Sequence, residues 1–136
     1  MSGIRGKDTK PEWVVRRALH ARGFRYRLHA RGIAGRPDLV LSRYRVAVFV
    51  HGCFWHGHEG CKYFRLPGTR RDFWDDKISR NRNNDADNLS LLERAGWRVA
   101  VVWECALRGA ETDIDAVIDA LAEWIKGHAG LLEIRG

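Results

Sequence analysis

Two groups of residues in this 136-residue chain have types and spacings that can do chemistry. The first is Cys53-x4-His58-x2-Cys61, with Cys105 far downstream. Two thiolates and an imidazole so close in sequence can close around one ion, and a third thiolate from a distant strand completes a tetrahedral set. Such a set leaves no open position for water, so it suits a structural Zn²⁺ rather than a catalytic one. His56 is an alternative to His58 as the imidazole ligand. Three cysteines are an odd count, and Met1 to Lys10 is polar with no signal-peptide core, so a disulfide framework is not expected. The remaining histidines, His20, His29 and His128, read as bystanders.

The second group is Arg36-Pro37-Asp38, followed across a predicted hairpin by Phe49-Val50-His51. Asp38 offers a hard oxygen of the kind Mg²⁺ takes. Many nucleases place an acid on one strand and further catalytic groups on the next. The Glu-x-Lys that often follows is missing, and Phe49-Val50-His51 stands in its place. The Val50 carbonyl can supply a second oxygen, and His51 a proton-transfer or phosphate-contacting group. Pro-Asp is also an ordinary turn signal, because Asp caps backbone amides.

Elements must bring these residues together. Thr9-Lys10-Pro11-Glu12 has the form of a capping box and opens a helix that runs to about Arg22, where Gly23 can stop it. Phe24, Tyr26 and Leu28 alternate with polar residues as in a half-buried strand. Asp38 to Leu41 and Arg45 to Val50 read as antiparallel strands joined by a turn at Ser42 to Tyr44. Residues 51–68 have no period and need their own source of order, which zinc would supply. Thr69 with Asp72 predicts the start of a second helix, kinked by the polar stretch Ser79 to Asn88 and closed by Gly96. Trp97 to Trp103 predicts a central strand, and Asp113 to Lys126 an amphipathic helix. The order α-β-β-β-α-β-α is that of an α/β domain, a mixed sheet flanked by helices, occupying 1–136 as one unit. No apolar run reaches the roughly 20 residues of a membrane span, and an intracellular protein is expected.

Charge points to the partner. Residues 1–45 hold 12 Lys+Arg against 3 Asp+Glu, while the other 91 hold 12 against 14, so the net +7 comes from the N-terminal third. Arginines outnumber lysines 19 to 5, and guanidinium suits bidentate phosphate recognition. A nucleic acid is the natural partner of such a chain.

Several ordered motifs then carry a resemblance. Gly35-Arg36-Pro37-Asp38, Phe49 through His56, Phe73-Trp74-x-x-Lys77-Ile78, and Gly96-Trp97-Arg98-Val99 with Trp103 through Gly109 closely resemble the very short patch repair endonucleases, over about Ile4 to Trp124. The resemblance implies a restriction-endonuclease-like fold with a structural zinc, and hydrolysis of one phosphodiester 5′ to the thymine of a T·G mismatch. It implies that Asp38 and the Val50 carbonyl hold Mg²⁺, that His51 and His56 are the catalytic imidazoles, and that Glu12 holds metal-bound water. It assigns Cys53, His58, Cys61 and Cys105 to zinc, Phe54, Trp55 and Trp74 to an aromatic wedge inserted beside the mismatch, and Lys77 and Asn81 to reading it. Trp55 and Trp74 are expected to be exposed, Trp97 and Trp103 to be core. The implied partner is double-stranded DNA with a T·G mismatch, met by a cytoplasmic, nucleoid-associated monomer, with mismatch-repair proteins as candidate partners.

Two features depart from the family pattern. Members usually carry a longer N-terminal arm that grips the minor groove, whereas Met1 falls close to the first helix here. The run His56-Gly-His-Glu-Gly-Cys61 is one residue longer than usual. Two alternatives share the same motifs: a non-catalytic, zinc-stabilised module that binds mismatched DNA, and a restriction-type nuclease that cuts both strands.

Overall fold

The computed structural model describes residues 10–30, 32–108 and 112–135. The first helix, α1 (Lys10–Ala21), carries Pro11 in its first turn, where the missing N–H costs nothing. Val15 and Leu19, four apart, are buried on one face. Gly23 ends it with φ +91°, and the Phe24 N–H returns to the Leu19 carbonyl. The expected cap, Thr9, lies outside the described residues.

Five strands form one sheet in the order β1-β2-β3-β4-β5: β1 (Arg27–Leu28), β2 (Leu39–Leu41), β3 (Val46–His51), β4 (Arg98–Trp103) and β5 (Leu131–Ile134). The first three pair antiparallel, and β3, β4 and β5 pair parallel. The β2–β3 hairpin turns through a 3-10 segment at Ser42–Tyr44 and closes on Arg45 in the left-handed region. Leu39, Leu41, Val46, Val48, Val50, Ala100 and Val102 alternate onto one face of the sheet, where they pack against α1 and α3 (Ile114–Lys126). Asp113 caps α3 by accepting the Ala116 N–H. This is the main core, and the α/β expectation of a mixed sheet flanked by helices holds.

Five local expectations are corrected. The strand expected over Phe24 to Leu28 is ordered as a ladder only at Arg27–Leu28, since β1 is an exposed edge. Helix α2 (Arg71–Arg94) is capped by Arg70 in the left-handed region, with no side-chain cap, rather than by Thr69. It runs as one uninterrupted helix through the polar stretch, because Arg82 and Asp85 share the inward face with Ile78, Leu89 and Leu92 at spacings of three and four. Strand β5 was not expected; its four residues gain strand structure only by pairing with β4. Trp103 is buried as predicted, but Trp97 is half-buried, covered by the Arg45 guanidinium 4.4 Å from its ring centroid.

Candidate active site

The register of the sheet builds the cysteine site. Parallel pairing sets His51 beside Trp103, so the chains leave β3 and β4 side by side and Cys53 and Cys105, each two residues on, reach the same place. The ligand atoms of Cys53, His58, Cys61 and Cys105 all lie within 4.8 Å of one another. His58 Nδ1 is 3.5 Å from Cys53 Sγ and 3.4 Å from Cys105 Sγ. Tetrahedral zinc, with bonds of about 2.3 Å to sulfur and 2.0–2.1 Å to nitrogen, separates such atoms by about 3.6 Å. The residues therefore fit a zinc ion. Burial holds the His58 imidazole below its usual pKa, aided by Arg135, so the ring is the neutral form a metal needs. Burial also pushes the Cys53 thiol well above the usual range, a penalty that a cation removes. His58, not His56, joins the thiols, and its ring stacks on Trp103 at 3.9 Å between centroids.

His56 is placed elsewhere. Its Nδ1 lies 2.6 Å from Asp85 Oδ2 on α2, and its ring stacks on His51 at 3.8 Å and 4°. A carboxylate accepts, so Nδ1 carries the proton and Nε2 is left to exchange one. Parallel stacked rings send their lone pairs along parallel planes. The His51, His56 and Asp85 trio is thus better suited to proton transfer than to gripping one ion. Burial, then the neighbouring His56 and His58, keeps His51 well below its ordinary pKa. Gly57 makes the arrangement possible. At its φ of +58° a Cβ would come within 2.5 Å of Arg82 Nε and Ile78 Cγ2, and Arg82 Nε donates to the Gly57 carbonyl at 2.8 Å. The loop is thereby pinned to α2 between His56 and His58.

Asp38 stands opposite Phe49 across the hairpin, and its Oδ2 accepts the Val50 N–H at 2.6 Å. Glu12 reaches it from α1, and the ligand atoms of Glu12, His29 and Asp38 lie within 4.8 Å of one another. Burial, opposed by the Val50 amide, aided by Glu12 and opposed by Arg16, leaves the Asp38 carboxyl raised to about 8. A buried carboxyl facing another is relieved by a divalent cation, so the two carboxyl groups fit a hard ion. His29, expected to be a bystander, belongs to this group; His20 and His128 are exposed.

Asp38, Val50, His51, His56 and Asp85 line one cleft of about 480 Å³ between α2 and the sheet, with Arg36 and Arg82 on its walls. Beyond it, Phe54, Trp55 and Trp74 form a mutual cluster with centroids 5.1–5.6 Å apart. Trp55 and Trp74 are half-buried rather than fully exposed, because each covers the other, and neither belongs to a buried core cluster. Phe73 extends the cluster and is 43% exposed. Lys77 is half-buried on the same helix, and Asn81 donates its amide N–H to the Trp55 carbonyl at 2.8 Å. Asp85, Arg82, Arg16 and His29 were not among the expected site residues. The signal for the first two was their place on the apolar stripe of α2.

A buried carboxylate pair, an imidazole–carboxylate dyad and a separate Cys3His set that could hold metal ions lie together in one α/β domain beside an aromatic surface, an arrangement of the hydrolase class. Comparison with known proteins specifies it. The family model for DNA mismatch endonuclease Vsr matches residues 1–62. DNA mismatch endonuclease Vsr of Escherichia coli K12 is 42% identical over 135 residues, 98% of this chain and 86% of that protein. Two type II nicking enzymes are also similar. V.XorIIP of Xanthomonas oryzae pv. oryzae is 50% identical over 79% of this chain and 78% of its own. V.NmeAIP of Neisseria meningitidis serogroup A is 47% identical over 79% and 76%. The chain belongs to the Vsr family of DNA mismatch endonucleases.

Proposed function

We propose that this chain is a Mg²⁺-dependent endonuclease that nicks one DNA strand 5′ to the thymine of a T·G mismatch and so starts very short patch repair. Family membership supports a DNA endonuclease, and the relatives named as nicking enzymes favour cutting of a single strand. The observation that carries the reading is the shared cleft, where Asp38 and the His56–Asp85 dyad face one space beside the aromatic cluster.

Asp38 and the Val50 carbonyl would hold Mg²⁺, with Glu12 holding a metal-bound water. Bound there, the ion supplies charge neutralisation at the scissile phosphate. Asp85 orients His56 so that Nε2 can take or return a proton, and neutral His51 stacks on it as a further hydrogen-bonding group. Phe54, Trp55 and Trp74 enter the duplex beside the mismatch, where stacking offsets part of the cost of opening it. Asn81 steadies Trp55 and keeps its amide oxygen, with Lys77, for the mismatched bases. Cys53, His58, Cys61 and Cys105 hold Zn²⁺ and fix the loop that carries His56 and two of the wedge residues. The described helices include none long and apolar enough to cross a membrane. A monomer acting on chromosomal DNA in the cytoplasm, alongside mismatch-repair proteins, completes the proposal.

Labelled T·G and matched duplexes incubated with the protein and Mg²⁺ test it. A single nick 5′ to the mismatched thymine is expected. Binding without cutting would leave a mismatch-sensing module, and cutting both strands of matched DNA a restriction-type nuclease.

A further inference from the structure

The Asp38 centre contains two basic side chains with no role so far, Arg16 and His29. Arg16 is 4% exposed, and its Nη2 lies 3.1 Å from Glu12 Oε2 and 2.9 Å from His29 Nε2. A guanidinium stays charged and has donors only. His29 Nε2 therefore accepts from it, and the proton of the neutral ring sits on Nδ1. Nδ1 faces Asp38 Oδ1 at 3.9 Å, within ion-pair range and longer than a hydrogen bond. The backbone is fixed for this approach. The His29 N–H donates to the Asp38 carbonyl at 3.2 Å, and His29 is held at φ +48°, a region that few non-glycine residues occupy.

We propose that His29, its tautomer set by Arg16, is a positioning residue for the Asp38 carboxylate. The Val50 N–H holds Oδ2, and the His29 Nδ1–H faces Oδ1. The carboxylate is thereby oriented before any cation arrives. An Nδ1 that carries a proton has no lone pair for the ion, so His29 acts through Asp38 and not as a ligand. This inference rests on the reading of Asp38 as the cation's ligand.

The test is Mn²⁺ binding to the full zinc-loaded chain, followed by electron paramagnetic resonance, for wild type and the variants His29→Gln, His29→Leu and His29→Asn. Glutamine can accept from Arg16 with its amide oxygen and donate to Asp38 with its amide nitrogen. It should keep affinity within about threefold, whereas leucine should weaken it about 10- to 100-fold, the usual range for a lost outer partner of a metal ligand. Asparagine is polar but one methylene too short to span the gap. It should behave like leucine, and it keeps the test open if leucine unfolds the chain. The Mg²⁺ half-saturation of nicking should move by the same factor, while the rate at saturating Mg²⁺ changes much less. Wild-type affinity in both the leucine and asparagine variants overturns the proposal, as does a glutamine variant as weak as leucine. A ¹⁴N coupling on bound Mn²⁺ that disappears in His29→Gln would make His29 a ligand and overturn it too. A wild-type chain that binds no Mn²⁺ outside its zinc site removes the cation reading of Asp38 itself, and this inference with it.

Discussion

At the scale of single residues, the proposed function separates holding a cation, at Asp38, from moving a proton, at His56. Asp38→Asn keeps the shape and the Val50 N–H contact but removes the charge that a hard cation needs. Nicking of T·G duplex should fall to background while mismatch binding, which comes from phosphate contacts and stacking, stays near wild type. Single-turnover cleavage and a binding titration on one preparation check both, and retention of more than a few per cent of the rate would place the cation elsewhere. Asp85→Asn makes the complementary case. An amide there can donate to His56 Nδ1 and so favour the opposite tautomer, with the proton on Nε2. The nicking rate should drop by about 10²- to 10⁴-fold, the usual contribution of a positioned acid–base group, with T·G affinity unchanged. A rate within a few-fold of wild type would reduce the 2.6 Å contact to a structural bond. The Cys3His set was legible from residue type and spacing, because it is chemically unusual in a short stretch, whereas Asp38, at an ordinary Pro-Asp turn signal, was assigned its role only by the resemblance. Asp85 and His29 were not singled out. Asp85 is marked only by its place on the apolar stripe of α2, its contact with His56 depending on how that helix crosses the sheet, and the His29 contacts depend on a loop folding back over α1 and leave no mark in local spacing.

At the scale of elements, the parallel β3–β4 pair brings the two halves of the zinc set together, and the loop between β3 and α2 has little other support. What does support it comes from side chains reaching across. Glu104 accepts the Cys53 N–H at 3.1 Å, Arg82 donates to the Gly57 carbonyl, and Arg135 donates to the Glu59 carbonyl at 2.8 Å. Cys105→Ser should therefore lower zinc content below half an equivalent and destabilise the chain by several kcal/mol, since metal binding is coupled to folding. It should also slow nicking, because His56 lies on the same loop. Elemental analysis, melting temperature and nicking rate measured together check this, and a fully folded, fully active variant without zinc would refute the structural role. Helix α3 and the three interior strands were legible because their apolar patterns are strong, and α2 was legible at its two ends. At the sheet edges, β1 is shorter than expected and β5 was not expected. β1 is exposed and β5 half-buried, with two and four residues, so pairing rather than composition makes them strands. The polar stretch of α2 read as a break in the apolar stripe. It is a stripe in which charged residues replace apolar ones over the cleft.

At the scale of the whole molecule, the proposed function divides the work of recognition between charge and an aromatic wedge. Not all of the N-terminal charge is available to DNA. Arg16 is buried against Glu12 and His29, and Arg22 pairs with Asp119 at 2.9 Å on α3. Arg17, Arg25, Arg27, Arg36 and Arg43 are exposed. Contacts from such groups release counterions from any duplex, so they set affinity and its salt dependence without regard to sequence. The aromatic cluster works differently, since stacking gains only where the pair opens cheaply. The logarithm of affinity against the logarithm of salt concentration should thus have the same slope for T·G and matched DNA, and the ratio of the two affinities should not change with salt. Trp74→Ala should leave both slopes alone and lower the ratio by roughly 5- to 150-fold, the value of about 1–3 kcal/mol of base–aromatic stacking. Arg36→Ala, at the cleft wall, should instead flatten both slopes by about one unit and keep the ratio. Fluorescence anisotropy at several salt concentrations, with melting temperatures to confirm that each variant is folded, separates these outcomes. A T·G preference that fades with rising salt would mean that charge, not stacking, discriminates the mismatch. A lowered melting temperature with both affinities reduced would instead make Trp74 part of the packing.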